Sequence, residues 1–212
     1  LPKKTFHRLD EDKKEKILRS AIDEFHQKGF ERATVDAIAA NAGVAKGSIY
    51  QYFSDKKELL LYSATWALEY FMKEINKREP MCDMDVFEYF LSAQRGNRVD
   101  LLKREPLLVA FTSDVMFGKF GELTKNLSDE IWKTSESYML SLIRNGKKRG
   151  TVRSDIDDET LLLFFQGVVD RIEMHMFKGI QDQNFEMSKE VYDEGIKMLN
   201  NMASLLKEGM GR

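Results

Sequence analysis

Residues 34–53 read Thr34-Val35-Asp36-Ala37-Ile38-Ala39-Ala40-Asn41-Ala42-Gly43-Val44-Ala45-Lys46-Gly47-Ser48-Ile49-Tyr50-Gln51-Tyr52-Phe53. They hold two short helical patterns with almost nothing between them. Thr34 can cap the first helix, its hydroxyl accepting from the orphan amides of the next turn. Val35, Ile38, Ala39 and Ala42 recur at helical spacing and form one narrow apolar face. The alanines in that face let a second helix approach closely. Gly43 suits the left-handed conformation that ends a helix, and Val44 can tuck back toward the core beyond it. In the second pattern Ile49 and Phe53, four apart, are the inward pair. Its other faces present Lys46, Ser48, Tyr50, Gln51 and Tyr52. This is the shape of a helix-turn-helix, whose second helix enters a DNA major groove. An ordinary α-hairpin with partly packed tyrosines is the other reading. The absence of any acidic residue between Asp36 and Asp55 favours a face that meets phosphates.

The whole chain has 212 residues, 42% hydrophobic and 32% charged, which suits a soluble globular protein of one large domain or two unequal ones. Three prolines, thirteen glycines and long periodic runs predict an all-α fold. A lone cysteine, Cys82, excludes an intramolecular disulfide and fits a reducing, cytoplasmic setting. The most apolar run, Leu161 to Val169, is interrupted by Gln166 and followed by Asp170 and Arg171, so no membrane span is expected. The opening residues lack the apolar core of a signal peptide. The chain begins on Leu1 rather than methionine, and some native sequence is expected before it. The formal net charge is −2, but the first sixty residues are slightly basic and the remainder acidic. Local placement matters more than that total for binding nucleic acid. Lys3, Lys4 and Arg8, with Lys46, Lys56 and Lys57, can supply it.

Residues 1–9 read as a flexible basic arm. The first firm helix is expected over Asp10–Lys28, with Ile17, Leu18, Ala21, Ile22 and Phe25 as its stripe and Gly29 as its stop. Ser54 or Asp55 would cap a long fourth helix from Lys56 to about Lys77, before Pro80. Beyond it come a shorter helix around Val86–Ser92, a less regular stretch from Arg95 to Lys103, and a helix opened by Pro106. A long helix follows from Leu123 to the basic end at Lys147-Lys148-Arg149 and Gly150. After an extended link at Thr151–Ile156, a helix opened by Asp157/Asp158 carries Leu161, Leu162, Phe164, Phe165, Val168, Val169, Ile172 and Met176 on more than one face. The last helix, from about Glu186, repeats Val191, Gly195, Met198, Leu199, Met202, Leu205 and Leu206. So much apolar surface needs covering. Pairing the last two helices with those of an identical subunit gives a four-helix interface; burial inside a monomer is the alternative.

These residues resemble the TetR/AcrR family of bacterial transcriptional regulators. The likeness runs from the helix near Asp10 through Thr34, Ile38, Ala39, Ala42, Gly43, Val44 and Lys46–Phe53, and on through Lys56, Glu58 and Leu59. It covers about the first quarter of the chain. Further on, only the helical layout and the Gly150-Thr151-Val152-Arg153 link are similar. The resemblance implies a DNA-binding domain over residues 1–54 and a helical effector-binding and dimerisation domain over 55–212. It also implies a homodimer on an inverted-repeat operator, usually a repressor, released by a small molecule. On that model Thr34 contacts phosphate, and Ala45, Lys46, Gly47 and Ser48 form the tip of the reading helix. Tyr50 and Gln51 are the candidate base readers, although relatives often carry histidine or another aromatic at the position of Gln51. Tyr52 would donate its hydroxyl to phosphate, and Lys56 would clamp phosphate beside the backbone.

A family-like effector cavity would be lined by Trp66, Tyr70, Phe87, Phe90, Phe111, Phe117, Trp132 and Tyr138, with Met116 and Met139 beside them. Such a lining suits an apolar or amphipathic small molecule. Each of these aromatics also fits a core position. Glu69, Glu88, Glu122 and Glu173 could bias a cavity toward cations. His7, His26 and His175 are far apart and Cys82 has no neighbouring ligand, so neither metal nor other cofactor is expected. No nucleophile–base motif, phosphate loop or dinucleotide fingerprint is present, which argues against an enzyme. A DNA-binding regulator without a small-molecule effector, and a helical enzyme or structural dimer, are the competing readings.

Overall fold

A computed structural model describes residues 2–75, 84–95, 97–181 and 189–211. Lys77, Pro80, Cys82 and Glu186 lie outside the described residues, as do the side chains of Glu173, Met176 and Val191. In chain order the helices are α1 (Lys4–His7), α2 (Glu11–Arg32), α3 (Val35–Ala42), α4 (Lys46–Tyr52), α5 (Lys56–Ile75) and α6 (Val86–Arg95). They continue as α7 (Asn97–Arg104), α8 (Pro106–Met116), α9 (Lys125–Arg149), α10 (Asp158–Gln181) and α11 (Lys189–Met210), with a 3-10 turn at Gly121–Leu123 before α9. Among the described residues no strand forms; a single antiparallel bridge joins Val152 to Gly211.

Local chemistry accounts for most of these boundaries. Asp10 accepts from Lys13 N and opens α2, with Glu11 and Asp12 in its first turn. Gly29 takes φ 69° and breaks the helical path where the sequence places its stop, although a further turn to Arg32 follows. Asp55, rather than Ser54, caps α5 by accepting from Glu58 N. The Glu58 carboxylate in turn accepts from Ser54 N, a reciprocal capping arrangement. That backbone hydrogen bond holds the Glu58 carboxyl below its ordinary pKa. Pro106 sits in the first turn of α8.

Two expectations change. The stretch after Arg95 is helical over Asn97–Arg104. Within the basic arm expected over residues 1–9, Lys4–His7 form a docked helical turn. Phe6 is wholly buried against Phe53 and Tyr62, at ring separations of 4.8 and 5.5 Å. A four-residue helix has no stability of its own. Burying one phenylalanine contributes about 2–3 kcal/mol, enough to hold so short a segment in place.

The chain forms two compact units, residues 1–73 with 105–130, and residues 74–104 with 131–212. The core of the first contains Ile17, Leu18, Ala21, Ile22 and Phe25 from α2, Ile38 from α3, Ile49 from α4, Leu59 and Leu60 from α5 and Phe111 from α8. The boundary expected at residues 54/55 falls inside this unit, because the first turns of α5 pack with the helix-turn-helix. Tyr62 lies 6.0 Å from the ring of Phe53. Polar ties add to the packing. Arg19 grips both oxygens of Glu105 at 2.7 and 2.9 Å, and His26 Nδ1 lies 2.6 Å from Asp114. The second unit has its own core from Val86, Phe87 and Phe90 of α6, Met139, Leu142 and Ile143 of α9, Leu161, Leu162 and Phe165 of α10, and Leu199 and Leu206 of α11.

Candidate nucleic-acid interface

The turn between α3 and α4 is built from backbone requirements. Thr34 is extended, and its hydroxyl accepts from Ala37 N at 3.2 Å, as its sequence position implies. Its own amide donates to the buried Glu24 carboxylate at 3.0 Å, which anchors the start of α3 to α2. At the other end Gly43 adopts φ 68°, ψ 33°. Its amide reaches Ala40 O while Val44 N reaches Ala39 O, the paired bonds of a Schellman stop. A side chain at that φ would be strained, so glycine is the residue that lets α4 begin three residues later.

α4 spans seven residues and turns Ile49 inward, with Phe53 just beyond its end; each is 1% exposed. Ala45, Lys46, Gly47, Tyr50 and Gln51 are exposed, Tyr50 at 44%, and Ser48 is half-buried. These are six of the nine residues expected to contact DNA, and all six lie on α4 or at its N-cap. Lys46 is not idle in this state. Its ammonium lies 2.9 Å from Asp36 in the first turn of α3, and that hydrogen bond raises the lysine pKa. Sequence reading missed this partner, although an acidic residue one turn into α3 was there to be noticed.

Two expected DNA contacts are placed differently. Tyr52 is 7% exposed and packs against Phe6, 5.9 Å between ring centroids. The Lys56 ammonium donates to the carbonyls of Phe30, Glu31 and Ala33 at 2.7, 3.3 and 3.0 Å and lies 4.5 Å from the Phe30 ring. An ammonium has three N–H donors, and here all three have acceptors within the protein. Lys56 therefore ties the end of α2 to the start of α5, where the sequence suggested a phosphate clamp.

The eight aromatics expected around an effector fall into both units. In the first, Trp66 and Tyr70 are half-buried beneath the Arg19 guanidinium, Phe111 is wholly buried against Phe120, and Phe117 is 38% exposed. In the second, Phe87 and Phe90 belong to the hydrophobic core, Tyr138 packs on its edge against Tyr89, and Trp132 is half-buried. A surface groove of the first unit is lined mainly by charged side chains, among them Asp12, Glu15, Lys16, Arg19 and Asp23, and by none of these aromatics. Among the described residues no three His, Cys, Asp or Glu side chains cluster as a metal site, and no helix is long and apolar enough to cross a membrane.

Comparison with known proteins agrees with this geometry. Residues 17–62 match the family model described as bacterial regulatory proteins, tetR family. An HTH-type transcriptional regulator of Bacillus subtilis, YerO, is 34% identical over 68 residues, 32% of this chain, and the match spans only 24% of that relative's length. IcaR of Staphylococcus aureus, the negative transcriptional regulator of the biofilm operon icaADBC, is 22% identical over 84% of this chain and 95% of its own. Among solved structures, a TetR family transcriptional regulator from Chloroflexus aurantiacus superposes with a TM-score of 0.72 at 23% identity, covering 100% of this chain and 99% of that one. FadR from Bacillus subtilis, in complex with stearoyl-CoA, gives a TM-score of 0.64 at 19% identity, covering 92% of this chain and 98% of that one. Such low identities establish the fold, while the motif and the family model bear on the head. The Schellman-stopped helix-turn-helix lies inside residues 17–62, and it is this segment that matches the tetR family of bacterial regulatory proteins.

Proposed function

We propose that the protein is a cytoplasmic repressor that binds an inverted-repeat operator as a homodimer and leaves it when a small apolar or amphipathic effector binds; it is not an enzyme. The observation that carries the DNA-reading part is the exposed set on α4. Lys46 offers a cation at the helix tip, Gly47 permits close backbone approach, and Tyr50 and Gln51 project the groups that read base edges. Thr34 supports it from the start of α3, since a hydroxyl that accepts from Ala37 N still has its proton to give a phosphate. Tyr52 and Lys56 act from behind as supports.

Pairing is supported by apolar side chains left uncovered on the last two helices of the second unit. Leu163 and Phe164 on α10 are 65% and 47% exposed, and Leu205 on α11 is 58% exposed. Exposed apolar groups concentrated on two adjacent helices suit a self-complementary four-helix interface. A two-headed molecule gains from reading two half-sites one helical turn apart.

The effector is supported by the relative solved with stearoyl-CoA and by the wealth of aromatics. A second reading, a DNA-binding regulator without a small-molecule effector, is favoured by one observation: Phe87, Phe90 and Phe111 are consumed in packing. Selection from a random duplex library with the full chain tests the main reading. The expected result is enrichment of an inverted repeat with strongly salt-dependent affinity. No enrichment from an intact dimer would overturn it. Long-chain acyl-CoA added to the selected complex then separates the two regulator readings.

A further inference from the structure

α4 is too short to stand alone. A seven-residue helix lies well under the roughly 12–15 residues that an isolated helix needs in water. Its N-cap, Ala45, supplies no side-chain hydrogen bond. Its last carbonyls are acceptors that no intrahelical amide can satisfy. The chain answers this from far away. Lys3 Nζ donates to Tyr50 O at 2.8 Å, Thr5 Oγ1 donates to Gln51 O, and Lys3 N donates to Tyr52 O at 2.8 Å. Three consecutive carbonyls at the end of α4 thus receive donors from residues 3 and 5. The Lys3 charge also sits at the negative end of that helix. Phe6 completes the arrangement. Its ring is wedged among Tyr52, Phe53 and Tyr62, and Tyr62 belongs to α5.

We infer that residues 3–6 are a lock that sets the angle of the reading helix, with Lys3, Thr5 and Phe6 as specificity-positioning residues. The inference rests on α4 being the DNA-reading element. Hydrogen bonds to base edges demand fixed direction, whereas a lysine on phosphate is a flexible point charge. A loosened α4 therefore loses discrimination between sequences before it loses attraction for DNA. Thr5 and Lys3 do this without touching DNA.

The test uses the full chain, with Thr5→Ala and Lys3→Gln as the variants and Thr5→Ser as the conservative control. Hydrogen exchange on the DNA-free protein reads peptides covering residues 46–53, with residues 86–95 as the internal control. Binding titrations compare the library-selected operator with a scrambled duplex at several salt concentrations. Exchange in α4 is expected to accelerate at least about fivefold in Thr5→Ala and Lys3→Gln, to be restored in Thr5→Ser, and to stay unchanged in the control peptide. The ratio of operator to scrambled affinity falls about tenfold or more, the size of one good base contact, with the salt slope retained. Unchanged exchange overturns the lock. Equal loss on both duplexes with a salt slope shallower by about one in Lys3→Gln also overturns it, because Lys3 would then be a phosphate contact. If the wild-type chain selects no DNA, the DNA-reading role fails while the exchange result still decides whether residues 3–6 hold α4.

Discussion

Lys56 Nζ stands 2.7 Å from the carbonyl oxygen of Phe30, so the first side chain of α5 closes the last turn of α2. The contact joins residues 26 apart, one on each side of the α3–α4 pair in sequence. Charge-assisted hydrogen bonds to carbonyls are worth more than neutral ones, and three converge here. Lys56→Met, which keeps the apolar stem over Phe30, is expected to destabilise the first unit by about 1.5–3 kcal/mol. Denaturant unfolding followed by a probe in that unit measures this. DNA affinity should fall with the salt slope unchanged. A slope lower by about one would instead identify Lys56 as a phosphate ligand.

The Lys46–Asp36 pair makes a different prediction. Both side chains are more than half exposed, and phosphate must compete with Asp36 for the ammonium. Removing the carboxylate frees the cation and deletes a like charge facing DNA. Asp36→Asn is therefore expected to tighten binding to all duplexes about two- to fivefold at low salt, the range of one exposed ion pair. Lys46→Ala should weaken it. Fluorescence anisotropy at two salt concentrations distinguishes the two effects.

Gly146 lies where α9 meets the returning chain. Thr151 N and Val152 N both donate to its carbonyl, and a Cβ at this position would overlap the Val152 side chain and press on Asp85. Overpacking at a site this tight costs about 1–3 kcal/mol. Gly146→Ala should lower the melting temperature of the second unit while leaving DNA affinity per folded molecule unaltered.

Glu88 provides the pH dependence. Arg149 binds both of its oxygens, and this pair, with help from the Asp85 amide, pulls its carboxyl down to about 2. A carboxyl depressed on folding stabilises the native state above its unfolded value, near 4.5, and loses that contribution as pH falls through the folded value. Both partners are over 40% exposed, so screening keeps the effect within about 1 kcal/mol. Glu88→Gln should melt slightly earlier than wild type at pH 7. The gap should narrow steadily between pH 5 and pH 3 in thermal scans.

The exposed face of α10 and α11 predicts the assembly. Leu163→Glu places a charge where a partner copy is proposed to pack. Sedimentation should show the mass shifting from dimer to single chain with the helical circular dichroism retained. A variant that remains dimeric would move the interface off this face.

How far the sequence carried this reading depends on the distance between partners. Thr34 as cap, Gly43 as left-handed stop, Asp55 opening α5 and Pro106 opening α8 all follow from interactions within one turn. Backbone geometry alone dictates what such positions need. The family resemblance added the expectation of DNA binding to residues already picked out by those rules. Phe6, a lone apolar ring in a basic run, was the available sign that the segment around it would dock.

The sequence by itself determined the all-α fold, the helix-turn-helix and which residues of α4 turn inward and outward, because periodicity and capping are local and each residue declares its part. Only the tertiary structure decided what the cations do. Lys3 and Thr5 reach carbonyls 47 and 46 residues away, Lys56 reaches back to α2, Lys46 pairs across the turn, and Arg19 crosses 86 residues to Glu105. A lysine's long chain can serve phosphate, carboxylate or carbonyl equally well. Which it serves is set by the acceptors that helix packing brings within about 3 Å of it.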